Sequence, residues 1–509
     1  MKPGDTILVH AGHLRVSLRV LRQPDAPSTR RRRSRAPTTS PADGTPEQPI
    51  VIKAAGDGEV ILDGRDNFNL FNVKAADYNY FEGITFRNTK IAIWAGTQFI
   101  AGSKGLTVKR CRFEDVGMGV FTNYSGSSDF YIADSVFIGR NDPKHLIGWT
   151  GPFWQPVRTR RGPGVSAGDE VLHRHPPLRT RPRRRPQLRR ANFHDGIDTE
   201  MYGMPDGSHP IDGPTYPPRE FWDRRPTAID IYNNYITNAH DNSIEMDGSM
   251  HNIRVMRNML INSASHPMST QPSVGGPIYF IRNIVYHAPG GSTRLTAGSP
   301  GVFFYNNTIL TETSGAASAN VHWRNNLMLG ENAQAGDLHR QHQHQLQLVG
   351  LQRLPSECRQ RGVPVELAAA NVPMIPADGT AREARDAHSS PRSRPTQQAT
   401  KQDQHSVLVD YDIFMKVTKL DAKDLATVQR LYKAEDFDFR LKPGSAAVDR
   451  GTAIPNVTDG FTGQAPDLGA LEAGKPVPDL RTEAAVDQAF ICSSLTRFPP
   501  SIASLRARR

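Results

Sequence analysis

Cysteine is nearly absent. The 509 residues hold three, Cys111, Cys358 and Cys492, with no Cys-X-X-Cys spacing. That excludes a disulfide framework and a zinc ribbon, and a lone Cys at an apolar position such as Cys111 behaves as a small hydrophobe. No apolar run approaches the roughly 20 residues that cross a bilayer as a helix. Met1 is followed by Lys-Pro-Gly-Asp rather than by a charged and then an apolar segment, so no signal peptide is expected in this chain. Acidic residues are scarce only locally. The formal net charge is +11, but residues 14–42 hold 8 Arg against 1 Asp, and residues 157–191 hold 11 Arg against 2 acids. These windows carry +7 and +9, which leaves −5 for the rest of the chain. A nucleic-acid binder carries its basic residues as a patch on a folded face. Here they lie in two irregular windows, and no nucleic-acid partner is expected.

What the chain does have is a repeat. Between Ile229 and Met328 a short frame recurs five times, as IDIYNNYI, IRVMRNML, IYFIRNIV, VFFYNNTI and VHWRNNLM. Each copy has an Asn at one place: Asn234, Asn258, Asn283, Asn307 and Asn326, spaced by 24, 25, 24 and 19 residues. Apolar residues stand five before, three before and two after each Asn, an alternation of strand type. Leu106, Val108, Cys111 and Phe113 fit the frame, and so do Phe130, Ile132, Ser135 and Phe137. A strand-like period of 20–25 residues predicts a β-solenoid, in which each coil buries its apolar face only by stacking on its neighbours. The repeated Asn is expected in a turn with left-handed dihedrals, its amides bonded along the axis as a ladder.

With Pro3 to Ile7 at the start, GTPEQPIVIKA (Gly44 to Ala54), and LKPGSAAVDRG (Leu441 to Gly451) followed by DGFTGQAPDLGALE (Asp459 to Glu472), the chain resembles the right-handed parallel β-helix proteins of the pectin-lyase-like superfamily. The resemblance covers roughly 1–13, 44–156, 192–335 and 405–475. It implies an all-β, right-handed parallel β-helix with long loop excursions. It also implies an exported protein, secreted or periplasmic, that acts as a monomer on a polysaccharide or oligosaccharide. The fold hosts lyases, hydrolases, epimerases and adhesins, so it does not name the reaction. The expected organisation is a β-helix over 1–335 (irregular at 14–42 and 157–191), an irregular segment over 336–400, a closing segment over 401–475 and a disordered tail over 476–509.

The irregular windows fill with Arg, Pro, Gln and Ser and read as out-of-frame translation. With permitted codons, Arg183 to Arg190 advanced by one base becomes Val-Val-Ala-Pro-Asn-Tyr-Val-Ala, another coil with its Asn. Ser34 to Ser40 and His344 to Arg359 also yield solenoid-like segments. Basic disordered linkers are the alternative. The His-rich run His339 to His344 lies in such a window and is not expected to be a metal tract.

Chemistry is expected on two segments, NFHDGIDTE (Asn192 to Glu200) and NAHDNSIEMDG (Asn238 to Gly248). Their His-Asp pairs, His194-Asp195 and His240-Asp241, share one register, which opposes Asp198 to Glu245. A missing coil or the long, Pro-rich excursion 201–228 can separate them, and that excursion is expected to wall a groove. On adjacent rungs about 4.8 Å apart, two carboxylates repel by about 3.5 kcal/mol at an effective dielectric near 20. A shared proton relieves this and equips a glycosidase with an acid and its partner; that reading needs no cofactor. A Ca²⁺ ion relieves it as well and gives a lyase-type site, with Glu200 and Asp247 as added metal ligands. Arg254, Arg282, His266, Gln271 and Trp222 are the expected substrate contacts. No Lys falls beside the acidic segments, which weighs against the lyase. A non-catalytic adhesion solenoid is the third reading, since acidic turns also occur where nothing reacts.

Overall fold

The computed structural model describes residues 1–15, 38–39, 43–96, 102–122, 127–139, 195–199, 226–239, 241–270, 273, 275–288, 291–295, 299–311, 320–330, 347–350, 365–368, 387–390, 405–421, 424, 427 and 430–478. The first wall of the solenoid is an 11-stranded parallel sheet running from Thr6–Val9 to Gln347–Gly350. The other walls start as one sheet of long bent strands, Val60–Asn72, Ile84–Trp94 and Arg112–Phe121. It forks at the last of these. Arg112 to Glu114 pair with Val136–Ile138, which opens the second wall, while Met118 to Phe121 pair with Asp195–Asp198, which opens the third. From there the coils up to Thr293–Arg294 each place one short strand on each wall, and beyond it strands are described on the first two walls. The architecture is the right-handed parallel β-helix that the repeat and the resemblance imply.

The excursions leave the stack uninterrupted. Ser128–Ala133 pairs with Thr227–Tyr232, Val136–Ile138 with Tyr235–Thr237, and Asp195–Asp198 with Ile244–Glu245. All three walls therefore put the two acidic segments on neighbouring coils, and no coil stands between them. Residues 157–191 lie outside the described residues. In the 336–400 window, Gln347–Gly350 extends the first wall beside Val321–Arg324, and Val365–Ala368 pairs antiparallel with Ala387–Ser390.

The Asn row is a continuous ladder. The amide oxygen of Asn258 accepts from both N and Nδ2 of Asn234 at 3.0 Å, and the same double contact joins Asn258 to Asn283, Asn283 to Asn307 and Asn307 to Asn326. All five are fully buried. The ladder crosses the excursion without a gap, because Ser135 N donates to Asn234 Oδ1 at 3.0 Å and Cys111 N to Ser135 Oγ at 3.2 Å. Burial pushes the Cys111 thiol up to about 12, so it is inert. One expectation is corrected. The left-handed residue is the one before each ladder Asn: Asn233, Arg257, Arg282, Asn306 and Asn325, with φ between 53° and 55°. The ladder amide is spent along the axis, and the preceding residue makes the turn.

Apolar residues stack inside the walls. Phe86, Phe113 and Phe137 form one column, with centroids 5.0 and 4.4 Å apart, and Phe280, Phe304 and Trp323 another, at 4.9 and 3.9 Å. Trp323 is fully buried at the end of its column. Buried serines also join neighbouring rungs, Ser103 N donating to Ser127 Oγ at 3.4 Å and Ser273 N to Ser299 Oγ at 3.2 Å.

The described part of 405–478 lies against the outer face of the second wall. Tyr235, Ile261, Tyr286 and Leu310 pack there against Phe414, Tyr432, Phe439 and Leu441. Arg282 pins it, donating to the carbonyls of Val457 and Ala470 at 3.2 and 3.1 Å and lying 3.9 Å from Glu472. Burial raises the pKa of Asp467, and burial plus the neighbouring Asp467 raises that of Glu472. The folded state therefore holds protons that the unfolded chain releases. Stability from these groups is fully present below the unfolded values of about 4 and is lost as pH rises through the raised folded ones. The thermal midpoint of the wild type relative to Glu472→Gln should accordingly fall from mildly acidic to neutral pH. A pH-independent difference contradicts this.

Candidate functional site

The third wall carries the chemistry. Its register aligns Trp94, Phe121, Asp198, Glu245, Ser269 and Arg294 as Cα partners on six successive rungs. Partners in a parallel sheet share a face. Ile197, Ile244 and Met268, one residue earlier, belong to the interior core, so this row faces outward. The repeat explains the row. Glu245, Ser269 and Arg294 each stand 11 residues after a ladder Asn, at 234, 258 and 283. Two glycines let the wall close up. A Cβ on Gly119 would meet the Phe137 ring at 2.4 Å, and one on Gly196 would meet Ser243 O at 2.7 Å.

Asp198, Glu245 and Asp247 are 2%, 8% and 6% exposed. Buried carboxylates need donors, and the sequence supplies them close by. Asn242 Nδ2 donates to Glu245 Oε2 at 2.5 Å, and the Ser269 hydroxyl donates to Asp247 Oδ1 at 2.7 Å. Thr199 braces the two rungs, its N donating to Glu245 O at 2.9 Å and its hydroxyl to Asp247 O at 3.3 Å. Asp198 and Glu245 are direct partners, which sets their Cα atoms about 4.8 Å apart.

The remaining sequence candidates divide. His266 feels the charges of both Arg294 and Asp241. Burial and the Arg294 charge lower its pKa to about 4, with Asp241 acting the other way, and its Nδ1 meets Ser265 Oγ at 3.0 Å. The imidazole is neutral at neutral pH. Asp241 is half-buried, and its backbone carbonyl accepts from Ser265 N at 3.1 Å and Ser263 Oγ at 2.9 Å. Asp195 opens the strand that pairs with Met118. His194, Glu200, Trp222, His240 and Gln271 lie outside the described residues. Two arginines are not brought to the row. Arg254 grips Asp230 in a bidentate pair on the first wall, and Arg282 holds the C-terminal segment. The guanidinium that does join the row is Arg294, which sequence reasoning missed although the period points to it. Among the described residues no carboxylate pairs with it.

For a hard cation such as Ca²⁺, the all-oxygen donors Asp198, Glu245 and Asp247 are chemically suitable. Among the described residues, however, no three His, Cys, Asp or Glu side chains stand close enough together to hold one ion. The described side chains alone therefore do not make a complete Ca²⁺ site.

The chain is similar in fold to the crystal structure of pectate lyase Pel9A, at 14% identity and a TM-score of 0.44, over 93% of this chain and 88% of that one. It is also similar to an alginate lyase from Paenibacillus sp. str. FPU-7, at 17% identity and 0.38, over 65% and 88%. A third is the PL6 family polysaccharide lyase Pedsa3628 from Pseudopedobacter saltans, at 12% and 0.29, over 70% and 89%. No family model matches the chain, and no curated protein matches it in sequence. Its architecture is a right-handed parallel β-helix. No helix among the described residues is long and apolar enough to cross a membrane.

Proposed function

We propose that this β-helix cleaves glycosidic bonds of an acidic polysaccharide on its third wall, outside the cytoplasm and as a monomer, with Asp198 and Glu245 as the reacting pair. The observation that carries this is their direct pairing on adjacent rungs, both buried. A retaining glycosidase places its two carboxyl groups about 5–5.5 Å apart, close to the rung spacing, whereas an inverting one needs about 6.5–9.5 Å. The roles follow from the surroundings. Asn242 orients Glu245 and donates to it, which suits the anionic partner that attacks the sugar. Asp198, 2% exposed, then protonates the leaving oxygen. Arg294, two rungs beyond Glu245, faces the carboxylate of a uronate unit. Asp241, Asp195, His194 and His240, from the same two sequence segments, join this machinery, with His266 and Gln271 as sugar contacts; His194, His240 and Gln271 lie outside the described residues.

Arg294 also supports a second reading, a polysaccharide lyase. A guanidinium in the acidic row can take part in removing the C5 proton of a uronate, and a Ca²⁺ ion, for which Glu200 and Asp247 are the ligands the sequence suggests, would neutralise the uronate carboxylate. Reducing-end release and the ultraviolet absorbance of unsaturated uronate, assayed side by side, separate the two. Reducing ends without unsaturation are the expected result. Unsaturated product abolished by EDTA assigns the lyase, and neither signal over a broad panel of polysaccharides removes catalysis altogether.

A further inference from the structure

We infer that Lys74 and Trp94 form a distal subsite on the same wall, which binds a uronate unit of a long anionic polysaccharide several rungs from the acidic pair. This rests on the proposed polysaccharide-cleaving role of the third wall.

The row of Cα partners continues past Phe121 to Trp94 and then to Asn72. Trp94 is directed away from the interior. It packs with Ile91, Met118 and Phe121 in a cluster separate from the main core, and its Nε1 donates to Gly96 O at 2.8 Å. Lys74 follows Asn72 by two residues, and its backbone N donates to Asn72 Oδ1 at 3.1 Å. Its ammonium lies 3.6 Å from the centroid of the Trp94 ring. Burial pushes the Lys74 pKa below its usual range, and among the described residues no carboxylate is paired with it.

A half-buried ammonium on an aromatic ring, with no counter-ion among the described residues, is suited to bind an anion. Its place on the row decides which anion. Trp94 stands two rungs, about 10 Å, from Asp198 on one side, and Arg294 stands two rungs from Glu245 on the other. Rungs lie about 4.8 Å apart, so a polysaccharide lying along the axis over these rungs meets a cation at each end and the acid pair between them. The ligand is therefore a polymer carrying a carboxylate on many of its units. A short oligomer at the acid pair leaves Lys74 empty.

The test is Lys74→Met in the full chain, which removes the charge and keeps the apolar stem over Trp94. Affinity electrophoresis and steady-state kinetics on polygalacturonate and alginate should show Kd and KM raised about tenfold, the loss expected for one charge-assisted contact. The preference for polymer over uronate trisaccharide should shrink by the same factor, while Lys74→Arg keeps it. Affinity for neutral glucans should not follow the charge. The inference is overturned if Lys74→Met binds both polyuronates as the wild type does, if the wild type binds neither, or if Lys74→Arg loses as much as Lys74→Met. The two readings fail separately. Charge-dependent binding without cleavage leaves the subsite and removes the catalytic reading, and cleavage with no effect of Lys74→Met does the reverse.

Discussion

Glu245→Gln and Asp198→Asn should each lower polysaccharide cleavage at least about a hundredfold, the usual scale for losing a general acid or base. Both replacements keep shape and remove only the ability to carry a proton or a charge. In Glu245→Gln the side-chain amide oxygen can still accept from Asn242, so far-ultraviolet circular dichroism and the thermal midpoint should stay close to wild type. Asp241→Asn is expected to lower cleavage on the same scale. It preserves the bonds that Ser263 and Ser265 donate to the Asp241 backbone carbonyl. Full activity in Glu245→Gln would show that the stacked carboxylates only brace the wall.

Asn258→Ala should be the most destabilising single change in the solenoid, by about 3–5 kcal/mol. It removes the acceptor for Asn234 N and Nδ2 and the donor to Ile231 O and Asn283 Oδ1, all in a fully buried row. Each buried polar group left without its partner costs about 1–3 kcal/mol. The contrast is Arg254→Ala, which breaks an ion pair whose arginine side chain is 47% exposed and should cost about 1 kcal/mol at most. Urea unfolding at constant m-value measures both. Equal losses would mean that the ladder carries no special load.

The ladder was legible because stacking forces one residue type to recur at one place, and that regularity survives in the chain as a 24–25-residue spacing. The three walls were less legible. The same alternation serves every strand, and the fork at Arg112–Phe121 depends on a bend that no periodicity records. Asp198 and Glu245 could be paired from their shared register. Their being neighbours could not, since residues 140–194 and 200–225 interrupt the count and only the pairing of all three walls closes it. Arg294 was readable, 11 residues after a ladder Asn, but arginines nearer the strands compete with it. Arg254 and Arg282 look equally available in sequence. What separates them is Asp230 on the next rung and a C-terminal segment folding back from 175 residues away or more, and neither is local. The pairing of Lys74 with Trp94 joins two coils in the same non-local way.

The most direct test of the account is a crystal structure of the Glu245→Gln protein soaked with a uronate hexasaccharide. The sugar should lie along the solenoid axis on the third wall, with a glycosidic oxygen within hydrogen-bond reach of Asp198 and uronate carboxylates at Arg294 and Lys74. Sugar bound across another wall, or on this wall with no glycosidic bond near Asp198 and residue 245, would contradict it.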